Sequence, residues 1–294
     1  MLRNNALKRE NNTVKDSVTA LLPGLIRALG LPEALRAGII PWASPIPVFG
    51  DPAHARVATL GINPSSREFV DAVGRELDGT LRRFHTLRSL GLSRWEDAER
   101  SHLQAIRQYC LDYFFRSPYD AWFKKLDYIV SGAGATYYGI ASSACHLDLV
   151  PYATTRKWGE LKADQRATLL GMSGDSLGVL LRDSSIRVLI LNGRAVTIEF
   201  ERMASFELRS AAMPAWTLPR EKVPGVIGSA KWGIARKVAG VGLGREVLVL
   251  GFNHNLQSSF GVTRVVMKSI RDWVAELGGT SRWETLLDPS YSQE

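Results

Sequence analysis

Cysteine is scarce in this chain. Two occur among 294 residues, Cys110 and Cys145, too few for a disulfide framework or a four-cysteine metal or iron–sulfur site. The histidines, His54, His85, His102, His146 and His254, are scattered, with no HExxH or CxxC spacing. Neither a bound metal nor a cofactor is therefore expected. No apolar run reaches the roughly 18 residues that span a bilayer. The N-terminal stretch MLRNNALKRENNTVKDS also lacks the apolar segment of a secretory signal. These absences predict a cytoplasmic protein without membrane contacts. Phosphate-cradling and nucleophile motifs are missing too, since GxxxxGK[ST] and GxSxG do not occur. GAGATYYG (132–139) has the wrong glycine spacing and precedes a strand, and GVGLG (240–244) fails in the same way. Cys145 adjoins His146, but neighbouring strand residues point to opposite faces, so they make a poor nucleophile–base pair.

What remains is an ordinary soluble composition, 45% hydrophobic and 22% charged. Lys and Arg outnumber Asp and Glu by 37 to 29, a formal net charge of +8. That balance suits a polyanionic partner such as nucleic acid, or a solvated basic surface.

Residues 13–37 have helical apolar spacing interrupted at Pro23 and Pro32, and predict short helices within an N-terminal extension over 1–40. A proline-rich connector, 38–52, opens the main domain, 41–294. Four apolar runs read as buried strands: 56–62, 143–151, 186–193 and 246–254. Amphipathic segments at 94–116, 119–130, 160–183, 194–207 and 263–277 lie between and after them. The alternation predicts an α/β/α three-layer sandwich around a mainly parallel, four-stranded sheet. Residues 207–245 fit it poorly and read as an insertion, mixing Trp216 and Trp232 with Arg220, Lys222, Lys231, Arg236, Lys237 and Arg245. The insertion suits a backbone-tracking surface or a cover over the sheet edge.

In such sheets ligands bind beyond the C-terminal strand ends. Here those ends carry polar groups: Gly61-Ile62-Asn63-Pro64-Ser65, then LDLVPYATT (147–155), VLILNGRAV (188–196) and VLGFNHNLQSS (249–259). Taken in order, and with RRFHTLRSLGL (82–92) between the first two, the set resembles the uracil-DNA glycosylase superfamily. The likeness is greatest to its mismatch-specific and single-strand-selective branches and covers about residues 55–275.

The resemblance implies an enzyme that flips a base out of DNA and hydrolyses its N-glycosidic bond, acting as a monomer on the polymer. Asn63 would orient the attacking water, and His254 would donate to the departing base. No lysine matches a Schiff-base position, so an abasic site would be the product. Ser65 and Ser66 would meet phosphate or cap the next helix. Leu256 would wedge into the vacated stack or pack as core. Phe69 and Tyr152 would stack on the base or serve as packing. Arg82 and Arg83, with Arg88 and Arg94, would neutralise phosphates or line a solvated helix face. Asp148 departs from the amide usual in uracil readers. A carboxylate accepts from an exocyclic amine, as on cytosine N4, and repels the O4 of uracil or thymine. Its alternative is a pairing with Arg or Lys. Since ordinary cytosine cannot be the target, a modified cytosine of phage DNA, and hence antiviral defence, is expected. The loop 66–80 would widen the pocket for the modification. Repair of uracil or a mismatched pyrimidine, and a catalytically silent nucleic-acid-binding module, are the alternatives.

Overall fold

A computed structural model describes residues 16–116, 118–220, 224–257 and 259–278. The first fifteen residues of the expected extension and Lys222 of the expected insertion lie outside these described residues. Four short apolar strands run parallel through the centre: β1 Val57–Gly61, β2 Ala144–Asp148, β3 Val188–Asn192 and the second half of β6 Val241–Phe252. In β1, β2 and β3 every residue is buried, the pattern of parallel strands covered on both faces.

Among the described residues the sheet has six strands rather than the four expected: β5 Val226–Val238 and β4 Arg209–Leu218 extend it beyond β6, in the order β2-β1-β3-β6-β5-β4. The additional pair is built from the segment read as an insertion. β4 and β5 join β6 as antiparallel neighbours. The hydrophobic pattern concealed them because their small and polar residues leave much of each strand exposed. Pro214 falls where the β4–β5 register shifts, a place in a strand that tolerates a missing N–H.

Helices cover both faces. On β6, Leu250 points toward Gly278 of α8 Arg264–Gly278, whereas the adjacent Gly251 faces Thr197 of α7 Arg194–Ala204. Neighbouring strand residues face opposite ways, so α7 and α8 lie on opposite sides of the sheet. With α8 packs α4 Asp120–Val130, which also touches β1, and on the α7 side α6 Ser176–Arg182 meets β5 and β6. The remaining helices are α1 Ser17–Leu29, α2 Pro32–Arg36, α3 Arg100–Leu111 and α5 Ala163–Ser173. Helix α1 continues through Pro23 instead of breaking there. Its face of Val18, Leu22, Leu25, Ile26 and Leu29 is buried in one contiguous core with the sheet, which offsets the one hydrogen bond that the proline removes. Among the described residues no helix is long and apolar enough to cross a membrane.

The connector before β1 runs along the outer edge of β2. Phe49 and His146 exchange backbone hydrogen bonds, each 2.9 Å, and Ile46 N donates to Pro151 O at 2.7 Å. This closes the sheet edge and places the Phe49 ring beside the carboxyl end of β2.

Candidate functional site

The register of β1 on β2 builds the site. Val57 pairs with Ala144, Thr59 with His146 and Gly61 with Asp148, so Thr59, Gly61, His146 and Asp148 share one face. Ala58, Leu60, Cys145 and Leu147 take the other. Gly61 is required by this arrangement. A Cβ there would fall within van der Waals contact of Asp148 Oδ1 and 3.1 Å from the His146 ring. Its hydrogen lets the carboxylate fold back over β1.

A cavity of about 50 Å³ opens at these strand ends, lined by Asn63, Pro64 and Ser65, by Glu68, His146 and Asp148, and by the rings of Phe49, Tyr119, Trp122 and Phe123. Trp122 and Phe123 come from the first turns of α4. An outer groove of about 360 Å³ shares the Asn63-Pro64-Ser65 wall and continues past Ser66, Thr154, Thr155, Arg156, Lys157 and Trp158. The outer groove carries two cations, Arg156 and Lys157, one carboxylate, Glu160, and the ring of Trp158. The inner chamber is acidic and walled by aromatics.

Asn63 holds a fixed orientation. Its Nδ2 donates toward Tyr152 O at 3.3 Å, Thr154 Oγ1 at 3.1 Å and Pro64 O at 3.2 Å. Carbonyl oxygens only accept, so the amide nitrogen must face them, which leaves Oδ1 as the group that can accept from a water in the cavity.

Asp148 is buried, yet among the described residues no hydrogen bond reaches its Oδ2. Its Oδ1 lies 3.4 Å from His146 Nε2. His146 Nδ1 is 2.6 Å from Thr59 Oγ1, which in turn meets the Tyr137 hydroxyl. A tautomer in which Tyr137 donates to Thr59, Thr59 donates to Nδ1 and an Nε2–H faces the carboxylate fits these contacts. That tautomer avoids setting two lone pairs against each other. The rings of Trp122, Phe49 and Phe123 surround the imidazole at 4.9, 5.3 and 5.4 Å.

Glu68 is a buried, cavity-lining carboxyl that sequence reasoning did not single out. It is 3% exposed, and Tyr113 Oη donates to its Oε2 at 2.8 Å. Burial pushes its carboxyl up to about 7, and the charge of Asp148 adds to the rise, against the Tyr113 hydrogen bond and the Arg83 charge. A charged residue inside SREF ordinarily faces water. Only the fold shows that the turn Ser66–Glu68 directs it inward. His146 did leave a trace, because H-L-D places His146 and Asp148 on one strand face.

The structure brings Asn63, Ser65 and Asp148 to the cavity and leaves other candidates elsewhere. His254 is displaced toward the antiparallel strands. Its Nε2 donates to Trp216 O on β4 at 2.7 Å, and burial holds its imidazole below the usual range. Leu256 is fully buried and so is core rather than a wedge. Phe69 is 1% exposed and packs against Trp42 and Phe84 at 6.1 and 6.0 Å, outside the cavity. Tyr152 is likewise core, with its hydroxyl donating to Leu25 O at 3.1 Å. Ser65 caps the turn by accepting from Arg67 N at 3.2 Å, and Ser66 lines the outer groove. Arg82 and Arg88 both pair with Asp78, and Arg94 pairs with Asp97. Arg83 lies 5.3 Å over the Tyr119 ring and donates to Arg67 O at 2.7 Å. The basic residues that line the outer groove are instead Arg156 and Lys157, with Glu160 on the same wall. Of the loop 66–80, only Ser66 and Glu68 reach the two cavities. Among the described residues no three His, Cys, Asp or Glu side chains are grouped to hold a metal ion.

No family model matches the chain, and no curated protein matches it either.

Proposed function

We propose that this protein is a monofunctional DNA glycosylase acting on a flipped, modified cytosine-type base, with a role in defence against phage carrying such DNA. The observation that carries the reading is the Asp148 Oδ2, a buried carboxylate oxygen without a partner among the described residues, in an aromatic-walled cavity at the carboxyl ends of parallel strands. An unsatisfied buried acceptor of this kind is costly. A ligand presenting an N–H would satisfy it, as the exocyclic amine of cytosine does.

The surrounding groups support the same reading. Asn63 offers an oxygen that can hold a water for attack on the anomeric carbon, and the rings of Trp122 and Tyr119 offer faces for an extruded base. Arg156 and Lys157 lie where the sugar–phosphate backbone of an entering nucleotide would pass. A bulky substituent such as a glucosylated hydroxymethyl group has room in the outer groove rather than in the small inner chamber.

The deciding assay incubates the protein with uracil-containing, mismatched and hypermodified viral DNA and measures abasic sites. Release from hypermodified DNA alone supports the proposal. Release of uracil or a mismatched pyrimidine points to repair, and salt-sensitive binding without release points to a silent binding module.

A further inference from the structure

We propose that Glu68 is the general acid of this reaction: its carboxyl group gives a proton to the ring nitrogen N3 of the extruded cytosine-type base while Asp148 accepts from the exocyclic amine. This inference rests on the glycosylase reading above and extends it to a mechanism of leaving-group activation.

The geometry comes first. Glu68 and Asp148 line the same small cavity. Tyr113 already donates to Glu68 Oε2, so the other carboxyl oxygen remains for the chamber. Asp148 likewise has one oxygen beside His146 and one without a partner among the described residues. Two carboxyls in so confined a space cannot both carry charge cheaply, and one of them holds a proton over a wide pH range. A carboxylate beside a carboxylic acid presents an acceptor next to a donor. That pattern complements the amine and N3 of cytosine. It mismatches uracil, which offers O4 and N3–H in the reverse order.

The environment decides which carboxyl keeps the proton. Tyr113, from the turn after α3, donates to Glu68. The Arg83 charge reaches it from the loop beyond the turn, and the Asp148 charge reaches it from β2. His146 on β2 and Tyr119 at the head of α4 share the cavity wall. Full burial dominates these influences and holds the Glu68 carboxyl at about 7. At neutral pH it is therefore poised to give up and regain a proton.

The chemistry requires such a group. Uracil leaves as a stabilised anion, whereas a cytosine departing unprotonated is a far poorer leaving group. In the proposed step the proton on the Glu68 carboxyl passes to N3. The C1′–N1 bond breaks with its electron pair going to the base, which departs neutral. The water held by Asn63 adds its oxygen to C1′, and its proton returns to the Glu68 carboxylate.

The test uses duplex oligonucleotides containing one 5-hydroxymethylcytosine, one glucosylated 5-hydroxymethylcytosine or one uracil. Single-turnover base release is followed from pH 5 to 9 for the wild type and Glu68→Gln, with oligonucleotide binding measured by mobility shift. Glutamine keeps a donor but has no proton to transfer. The variant should bind within a few-fold of wild type and release the modified base roughly 10²- to 10⁴-fold more slowly. Wild-type release should fall about tenfold per pH unit above neutrality. Release by Glu68→Gln within threefold of wild type, or an unchanged pH profile, overturns the assignment while leaving the glycosylase reading intact. Failure of the glycosylase reading shows differently, as no release from any oligonucleotide. Calorimetry with free 5-hydroxymethylcytosine and free uracil then decides the pairing of Glu68 with Asp148. Tighter binding of the cytosine base at pH 6 than at pH 8, absent in Glu68→Gln, supports it, and equal binding of both bases at both pH values overturns it.

Discussion

Replacing Glu68 with glutamine should change how stability depends on pH, in the absence of any DNA. The Glu68 carboxyl is raised from 4.5 to about 7 by folding. Between those values the native protein holds a proton that the unfolded chain has released, so native stability declines as pH rises through the interval and levels off above about 7. The difference corresponds to about 3 kcal/mol between pH 4 and pH 8. Glutamine cannot titrate, preserves the acceptor for Tyr113 and fills nearly the same volume. Relative to wild type, the variant should therefore gain about 3 kcal/mol on going from pH 4 to pH 8, the greater part of it above pH 5. Another buried group acts over the same range with the opposite sign. Burial, aided by Arg82 and Arg116, lowers the His85 imidazole from 6.5 to about 4, so its contribution is lost as pH falls. Because both proteins contain His85, that loss cancels in the difference between them. Urea denaturation of both proteins at half-unit pH intervals, with m-values checked for constancy, gives the curve. A difference that stays flat within about 0.5 kcal/mol from pH 4 to pH 8, an order of magnitude set by the linkage itself, would refute the reasoning that Glu68 is protonated in the native site.

Asp148→Asn supplies a donor where the carboxylate could only accept, so uracil release relative to modified-cytosine release should rise by roughly tenfold or more, measured with matched oligonucleotides. Asn63→Ala should slow base release roughly 10²-fold with DNA binding retained, because it removes the group that orients the water and leaves the outer groove intact. Lys157→Ala should lower the slope of log affinity against log salt by about one unit, whereas Arg82→Ala, whose guanidinium already pairs with Asp78, should change it little. Gly61→Ala should destabilise the fold by about 1–3 kcal/mol in thermal unfolding and displace Asp148, since the new methyl group would occupy the space of its Oδ1.

The parallel core was legible because strands buried on both faces read as unbroken apolar runs, and β1, β2, β3 and the end of β6 do so. β4 and β5 were not, because their alternation rests on alanine, serine and glycine (SAA in β4, GSA in β5) with one face open. Half of the site could likewise be read. Asn63 and Asp148 stand at strand ends, where polar groups interrupting apolar runs invite a ligand. The pairing of Thr59 with His146 was hidden, since T-L-G and H-L-D become neighbours only through the register of β1 on β2. Glu68 was hidden more deeply. Its partner there is Tyr113, remote in sequence, and it shares the cavity wall with Phe49 from the edge segment. Phe69 could be read as aromatic but not aimed, because Trp42 and Phe84 draw its ring away from the cavity.

The displacement of His254 and the burial of Glu68 are connected on the proposed reading. The antiparallel strands that enlarge the sheet also supply the Trp216 carbonyl that accepts the His254 Nε2 hydrogen bond, so that N–H cannot donate to a departing base without breaking the bond. An enzyme whose leaving group is an anion would lose its principal stabilising donor by this change. One whose leaving group departs neutral, after protonation, has no anion to stabilise and needs an acid in the chamber instead. Glu68 beside Asp148 provides that acid, and the same two carboxyls select the base on which it would act. Restoring a histidine to the cavity while leaving Glu68 protonated should therefore add little to cytosine release, whereas combining it with Asp148→Asn should favour uracil.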